Sequence, residues 1–148
     1  MRLVIQRVSE ASVKIDSNAV ASINKGLLVL VGVGQEDSEE DIDWLLNKLL
    51  NMRIFIDEEG KRNCSILDVK GQLLSVSQFT LFAKTKKGNR PSFINSAQPE
   101  IAKIMFESWC EKASKLIDHQ SGIFAADMQV SLINDGPVTI TIDSKNRE

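Results

Sequence analysis

His119 and two distant cysteines, Cys64 and Cys110, are the residues of this 148-residue sequence whose types most often support nucleophilic or metal chemistry. Any histidine-based triad must use His119. This residue ends a predicted helix, however, where the helix dipole would simply favour an imidazolium. The cysteines form no Cys-x-x-Cys pair and, with one histidine, match no familiar zinc spacing. The sequence therefore predicts no metal and no cofactor.

Two hydroxyl side chains, Ser77 and Thr80, lie in an apolar stretch at 77–81. Ser77 lacks the Gly-x-Ser-x-Gly setting that exposes a nucleophile on a strained turn, so its spacing does not indicate a hydrolase serine. If the stretch is a strand, alternate residues simply face opposite sides of the sheet. Gln78 argues for more than packing, because burying its amide costs free energy unless the amide is bonded. On the residues alone the packed strand is the favoured interpretation, and Gln78 is the observation against it.

A cationic loop follows, and it is defined by Lys84, Lys86, Lys87 and Arg90. A solvated surface loop is the simpler interpretation, but the loop could also contact phosphates, with Phe93 as a nearby stacking surface. The formal net charge of the chain is -2, which argues against general nucleic-acid binding and against a DNA partner.

Hydrophobic periodicity predicts a β-rich first half. Strands are expected at 2–8, 11–16 and 19–23, with a turn at 17–18. The continuous β-branched run at 27–33 predicts a strand that is buried on both faces.

Two helices are predicted. The first spans 39–51, with Ser38 as its N-cap and acidic residues in its first turn. The second spans 99–118, where Pro99 is tolerated in the first turn. Its predicted inward-facing residues are Ile101, Ile104, Met105, Trp109, Leu116 and Ile117.

The remaining segments complete an α/β pattern. The predicted elements are a short strand at 54–56, a strand at 73–82, a polar loop at 84–91, and strands at 129–133 and 138–142 around a turn at 134–137. Because strands outnumber helices, we expect mixed, largely antiparallel sheet covered by helices on one side.

Length and composition indicate one globular domain over 1–148. The chain is 43% hydrophobic and 26% charged, and it is long enough to bury a core without disulfides. Its start shows neither a signal-peptide core nor a membrane span, and its few cysteines fit a reducing compartment. We therefore expect a cytoplasmic protein with no membrane partner.

Four short stretches together resemble the D-aminoacyl-tRNA deacylase (D-tyrosyl-tRNA deacylase) family. They are MRLVIQRV at 1–8, SQFTL at 77–81, KGNRPSF at 87–93 and NDGPVT at 134–139. Each stretch is modest alone, but their order and spacing make the combination specific. The resemblance covers essentially the whole chain, and no motif position departs from the pattern.

The resemblance implies a three-layer β/β/α sandwich and a homodimer with active sites at the subunit interface. Gly136 and Pro137 would form a cis peptide whose carbonyls project into the partner's pocket as a chiral gate. An L side chain would collide with that backbone and a D side chain would not, so specificity would rest on steric rejection. Glycine should also enter. Arg7 is implied to hold the gate through its fork of donors, with an exposed strand arginine as the alternative.

The implied reaction is hydrolysis of the ester between a D-amino acid and the terminal ribose of tRNA. The sequence offers no obvious general base, so the resemblance implies that the ribose 2′-hydroxyl assists while the protein stabilises the oxyanion. The N–H groups of Phe79 and Thr80 are candidates for the oxyanion hole, and Ser77 and Gln78 would shape the adenosine end. Thr80 is also a candidate for direct participation, although nothing in the sequence supplies its base.

The same resemblance assigns the cationic loop to the acceptor stem of tRNA. Two other functions stay open at this point. One is a tRNA-binding or assembly protein with this fold and no activity, and the other is a small-molecule esterase that uses Thr80 or Ser77.

Overall fold

The structure is a computed structural model that describes the whole chain, residues 1–148. Its helices are α1 (Glu39–Asn51), a 3-10 helix (Phe79–Phe82) and α2 (Pro99–Ser114). Its strands are β1 (Arg2–Ile15), β2 (Asn18–Ile23), β3 (Gly26–Gly32), β4 (Phe55–Ile56), β5 (Arg62–Cys64), β6 (Gln72–Ser77), β7 (His119–Ser121) and β8 (Gln129–Asp143).

Six of the strands form one sheet. Its order is β2-β1-β3-β6-β7, and β8 pairs with the other edge of β1. The pairs that involve β1 are antiparallel, whereas β3–β6 and β6–β7 are parallel. β4 and β5 form a separate hairpin. The predicted mixed, largely antiparallel sheet is confirmed.

Two apolar cores lie on opposite faces of the central strand β3. Leu27, Val29 and Val31 belong to the larger core, which also takes in α1 and α2. Leu28 belongs to a second core that includes Val13 from the far half of β1. The predicted double burial of this strand is confirmed, and the two cores separate the three layers of a β/β/α sandwich.

The first helix begins and ends as predicted, because its cap and its apolar stripe agree. The Ser38 N–H donates to the Asp41 carboxylate at 2.8 Å, which satisfies one free donor at the helix start. The apolar residues at three- and four-residue spacing are all buried, namely Ile42, Leu45, Leu46, Leu49 and Leu50.

The strand predicted at 73–82 is too long. β6 ends at Ser77, and the chain turns into the 3-10 helix at Phe79. The reason is the partner strand: the Gln78 N–H still bonds Val31, but β3 ends at Gly32 and offers no further ladder. The alternation of faces proposed for 77–81 is therefore wrong beyond Ser77.

The second helix is four residues shorter than predicted, ending at Ser114. Met105 and Trp109 face inward as expected, but Ile101, Ile104 and Leu116 are more than half exposed. Residues 119–121 form strand β7, which continues the sheet beside β6. His119 is consequently a half-buried strand residue, and the predicted imidazolium at a helix end is wrong.

The two strands predicted at the C-terminal end are one continuous strand. β8 runs past the predicted turn at 134–137 and pairs with β1 on both sides of it. Gln6 pairs with Thr139 and Val8 with Asn134, so residues 135–138 bulge out opposite Arg7 alone. The smaller turn between β1 and β2 is also shifted, with positive φ at Asp16 and Ser17.

No helix is both long and apolar enough to span a bilayer.

Candidate active site

A cavity of about 670 Å³ opens where β6 gives way to the 3-10 helix. Ser77, Gln78 and Phe79 form one wall of it. The rest is mainly apolar and includes Phe93, Ile94, Ala102, Phe124, Met128 and Val130. Phe79 is 55% exposed, and its ring meets Phe93 edge-on at 5.0 Å between centroids. This concave apolar surface with a polar edge is suited to a small organic group.

The start of the 3-10 helix, next to the cavity, carries unpaired backbone donors. The N–H groups of Phe79 and Thr80 are the first two of the 3-10 helix, so they have no acceptor within it, and no side chain or loop carbonyl accepts from them. The next N–H, that of Leu81, bonds the Gln78 carbonyl at 3.3 Å. Free N–H groups at a helix start favour negative charge, as an oxyanion requires.

Thr80 has no partner that could remove its proton. Its hydroxyl contacts the Gln78 amide, whose Nε2 donates to Oγ1. An amide is not a base, and no carboxylate, histidine or lysine bonds to this hydroxyl. Thr80 is exposed and does not line the cavity. The geometry at this position supplies donors to a ligand and does not supply an activated nucleophile.

Arg7 and the bulge of β8 form a second cluster. Arg7 is only 6% exposed, so the alternative of an exposed strand arginine is wrong. Its Nε donates to the Asp135 carbonyl at 2.8 Å, and its Nη1 donates to the Ile54 carbonyl. The Gly136–Pro137 peptide bond is cis, and both residues are exposed. Neither of them lines the cavity of the same chain.

Gly136 is the position in this bulge that requires glycine. Its φ is +148°, and a Cβ there would lie 2.9 Å from Val138 Cγ2 and 3.0 Å from Arg7 Nη2. Asn134 closes the bulge from beneath, because its Oδ1 accepts from the Val138 N–H at 2.7 Å. The exposed tip of the bulge, Gly136–Pro137, is therefore held in place by hydrogen bonds on either side of it.

The cationic loop lies beside the cavity and not in it. Lys84 and Ser92 pair through both backbone hydrogen bonds, which closes the loop immediately before Phe93. Its four cationic side chains are exposed, and none of them joins an ion pair in this chain; they are Lys84, Lys86, Lys87 and Arg90. Four uncompensated charges next to a cavity are suited to a phosphate backbone.

The histidine lies elsewhere, in a closed hydrogen-bond chain. Trp109 Nε1 donates to Ser75 Oγ at 2.9 Å, and Ser75 Oγ lies 3.0 Å from His119 Nε2. His119 Nδ1 lies 3.1 Å from the Ser114 hydroxyl, which donates to the Cys110 carbonyl. Because Ser114 already uses its only proton, Nδ1 must carry the imidazole proton. Nε2 then accepts from Ser75.

Burial accounts for the charge state of this region. It lowers the pKa of His119 to about 4, and Asp118 opposes the shift only partly. Burial also raises the pKa of the Cys110 thiol to about 11, so this cysteine is not an activated nucleophile. No group of three or more His, Cys, Asp or Glu side chains could hold a metal ion.

Comparison with known families decides what this arrangement belongs to. The family model described as D-Tyr-tRNA(Tyr) deacylase matches residues 4–143. This chain belongs to that family. The family resemblance found in the sequence is confirmed, and the protein is a hydrolase, a D-aminoacyl-tRNA deacylase that acts on aminoacyl-tRNA.

Solved structures support the assignment of the fold. One described as "c-Myc DNA Unwinding Element Binding Protein" is 38% identical, with a TM-score of 0.92, covering 97% of this chain and 98% of that one. Another, "a probable eukaryotic D-amino acid tRNA deacylase", is 16% identical, with a TM-score of 0.81 and coverage of 95% and 97%. At that lower identity the likeness concerns the fold alone.

The deacylase fold brings together only some of the residues that the sequence singled out. Ser77, Gln78 and Phe79 meet at the cavity, whereas neither the bulge of β8 nor the cationic loop lines it. The apolar wall formed by Phe124 and Met128 was missed, because isolated apolar residues in a loop carry no periodic signal. Arg2 was also missed as a contact of the 3-10 helix, although it stands within the first motif.

Proposed function

We propose that this deacylase is a homodimeric chiral proofreading enzyme, with residues 1–148 acting as one domain in the cytoplasm. It would hydrolyse D-aminoacyl-tRNA, accept glycyl-tRNA and reject L-aminoacyl-tRNA. The observation that carries the proposal is the pair of unpaired N–H groups at Phe79 and Thr80, at the edge of a cavity without a general base.

Catalysis would depend on backbone N–H donors of the protein and on the ribose 2′-hydroxyl of the RNA. The cavity would take the terminal adenosine and the ester, with Ser77 and Gln78 at the adenosine end. The N–H groups of Phe79 and Thr80 would stabilise the tetrahedral oxyanion, and the ribose 2′-hydroxyl would assist the attacking water. This division of labour fits a Thr80 hydroxyl whose side-chain partner is an amide.

Chiral selection would come from the partner subunit. The exposed Gly136–Pro137 tip would enter the partner's cavity, where its backbone would exclude an L side chain. Arg7 would keep the tip in place through the Asp135 carbonyl. The tip projects from its own chain and does not line the cavity of that chain, and this arrangement supports the cross-subunit role.

The cationic loop would hold the acceptor stem. The four residues Lys84, Lys86, Lys87 and Arg90 are free of internal ion pairs and stand three to nine positions before Phe93 at the cavity. Binding through such contacts weakens as salt rises, because counterions are released from the phosphates.

The deciding experiment compares ester loss from matched D-tyrosyl-, L-tyrosyl- and glycyl-tRNA, with sedimentation equilibrium on the same preparation. We expect a dimer that hydrolyses the D and glycyl esters and spares the L ester. Equal loss of the D and L esters would contradict chiral selection by the Gly136–Pro137 tip. Full selectivity in a monomer would contradict it as well. A tRNA that ends in 2′-deoxyadenosine should not turn over, whereas a Thr80 nucleophile would still act on it.

A second candidate function is DNA binding, which the description of the 38% identical solved structure favours. The cationic loop is the surface that would serve it. Competition between matched tRNA and duplex DNA at physiological salt separates the two, and we expect tRNA to bind more tightly. Tighter binding of the duplex would favour the second function.

A further inference from the structure

Arg2 connects the end of β8 to the 3-10 helix that carries the free donors. Its Nε donates to the Asp143 carboxylate at 2.9 Å, and its Nη1 donates to the Leu81 carbonyl at 2.9 Å. Its guanidinium also lies 4.6 Å from the centre of the Phe82 ring. Leu81 and Phe82 are the last two residues of the 3-10 helix, so one side chain holds its end through backbone and ring alike.

Glycines at and just after the end of β3 also lie against the 3-10 helix. A Cβ at Gly32 would lie 3.0 Å from Leu81 Cβ and 3.1 Å from the Gln78 carbonyl. A Cβ at Gly34 would lie 2.8 Å from Phe82 Cζ. The glycines allow close approach, but they offer no side chain to fix the helix in direction. Arg2 supplies a directional attachment.

We propose that Arg2, oriented by Asp143, is a positioning residue for the deacylation reaction. It holds the 3-10 helix so that the N–H groups of Phe79 and Thr80 point at the developing oxyanion. The inference rests on the proposed function, since Arg2 acts only through those donors. A hydrogen bond weakens steeply with angle, and a misplacement of about 1 Å can cost about 100-fold in rate.

The surroundings of the ion pair separate positioning from stability. The Arg2 side chain is 42% exposed and that of Asp143 is 26% exposed. Ion pairs at such sites add little to folding stability, so a loss of activity without a loss of stability is the expected signature. Lysine should restore only part of the effect, because an ammonium lacks the fork that reaches carboxylate and carbonyl together.

The test measures deacylation of D-tyrosyl-tRNA together with amide hydrogen exchange at Leu81 and Ala83, whose N–H groups bond the carbonyls of Gln78 and Thr80. The variants are Arg2→Gln, Arg2→Lys, Asp143→Asn and the Arg2→Gln/Asp143→Asn double variant. We expect Arg2→Gln to lower kcat about 10- to 50-fold, with KM and Tm nearly unchanged and with faster exchange at both amides. Arg2→Lys should fall between, and the double variant should lose no more than Arg2→Gln alone.

Lys115→Gln is the matched control, since it removes an exposed ion pair with Glu111 on α2. An equal fall in kcat for this control would overturn the inference, and so would unchanged exchange in Arg2→Gln. Faster exchange with unchanged kcat would instead contradict oxyanion stabilisation by the N–H groups of Phe79 and Thr80, and Arg2 would then only stabilise the helix. If Arg2→Gln does not fold, Asp143→Asn keeps the arginine and gives the same measurements.

Discussion

Strand β6 leads into two polar regions of opposite character. At Ser75, a fully buried hydroxyl joins Trp109 and His119 in a chain where every donor and acceptor has a partner. Just past Ser77, the N–H groups of Phe79 and Thr80 have no partner at all. The only histidine of the chain thus lies in the satisfied region, and the unsatisfied donors lie where no side chain titrates near neutral pH.

Residue type alone therefore does not show where the reaction of this protein takes place. A histidine whose hydrogen bonds are complete and whose charged form is disfavoured by burial stabilises the fold and does no acid–base work near neutral pH. The N–H groups of Phe79 and Thr80 lie on exposed residues, so a ligand can accept from them in place of water. Unmet hydrogen-bonding capacity is the better guide to the reaction here.

Removing one of the two free donors at the start of the 3-10 helix should have the greatest effect on the rate. Phe79→Pro deletes an N–H at the first position of the 3-10 helix, where proline is tolerated. Phe79→Ala is the matched control, because it loses the ring and keeps the donor. We expect kcat for D-tyrosyl-tRNA to be about 100- to 1000-fold lower in Phe79→Pro than in Phe79→Ala. Equal rates would show that this N–H does not stabilise the oxyanion.

The satisfied region should respond in stability and not in rate. Ser75→Ala leaves the buried Trp109 N–H without an acceptor, so we expect a loss of about 1–3 kcal/mol in the free energy of unfolding. Chemical denaturation of Ser75→Ala and wild type measures the loss, and kcat should stay within about threefold. A large fall in kcat at unchanged stability would place this hydroxyl in the reaction after all.

The pH dependence of stability tests the burial of neutral His119. The pKa of His119 is lowered from 6.5 to about 4 in the folded state, so the unfolded chain takes up the proton first as the pH falls. The contribution of neutral His119 to the free energy of unfolding is therefore complete above pH 6.5, and it is lost progressively as the pH falls towards 4. Allowing for partial exposure, we expect His119→Gln to remove about 2 kcal/mol of this pH dependence. Parallel stability curves for His119→Gln and wild type would contradict the shift.

The smallest effect is expected at the cationic loop. Lys86→Gln/Lys87→Gln should raise KM for D-tyrosyl-tRNA a few-fold and flatten its salt dependence by about one phosphate contact per lysine. It should leave kcat unchanged, because neither residue lines the cavity. Lys103→Gln on α2 is the control, and an identical salt slope in both variants would remove the loop from tRNA binding.

The local elements were largely predictable because their signals are local. The cap at Ser38 and the apolar spacing behind it specify α1 without reference to the rest of the chain. The apolar run of β3 similarly indicates burial on both faces. The exposed residues of α2, such as Ile101 and Ile104, were mispredicted because apolar spacing does not reveal where a neighbouring layer ends.

Local signals in the sequence specify α1, the buried strand β3, the family and the cationic loop, because cap residues, apolar period and short motifs occupy neighbouring positions. The end of β6 at Ser77 follows from the fold, since it depends on where its partner β3 ends. The tertiary structure also decided that His119 is neutral and that Arg7 is buried beneath a bulge. Hydrogen-bond completion, burial and pKa depend on partners that are distant in the chain, and folding alone brings them together.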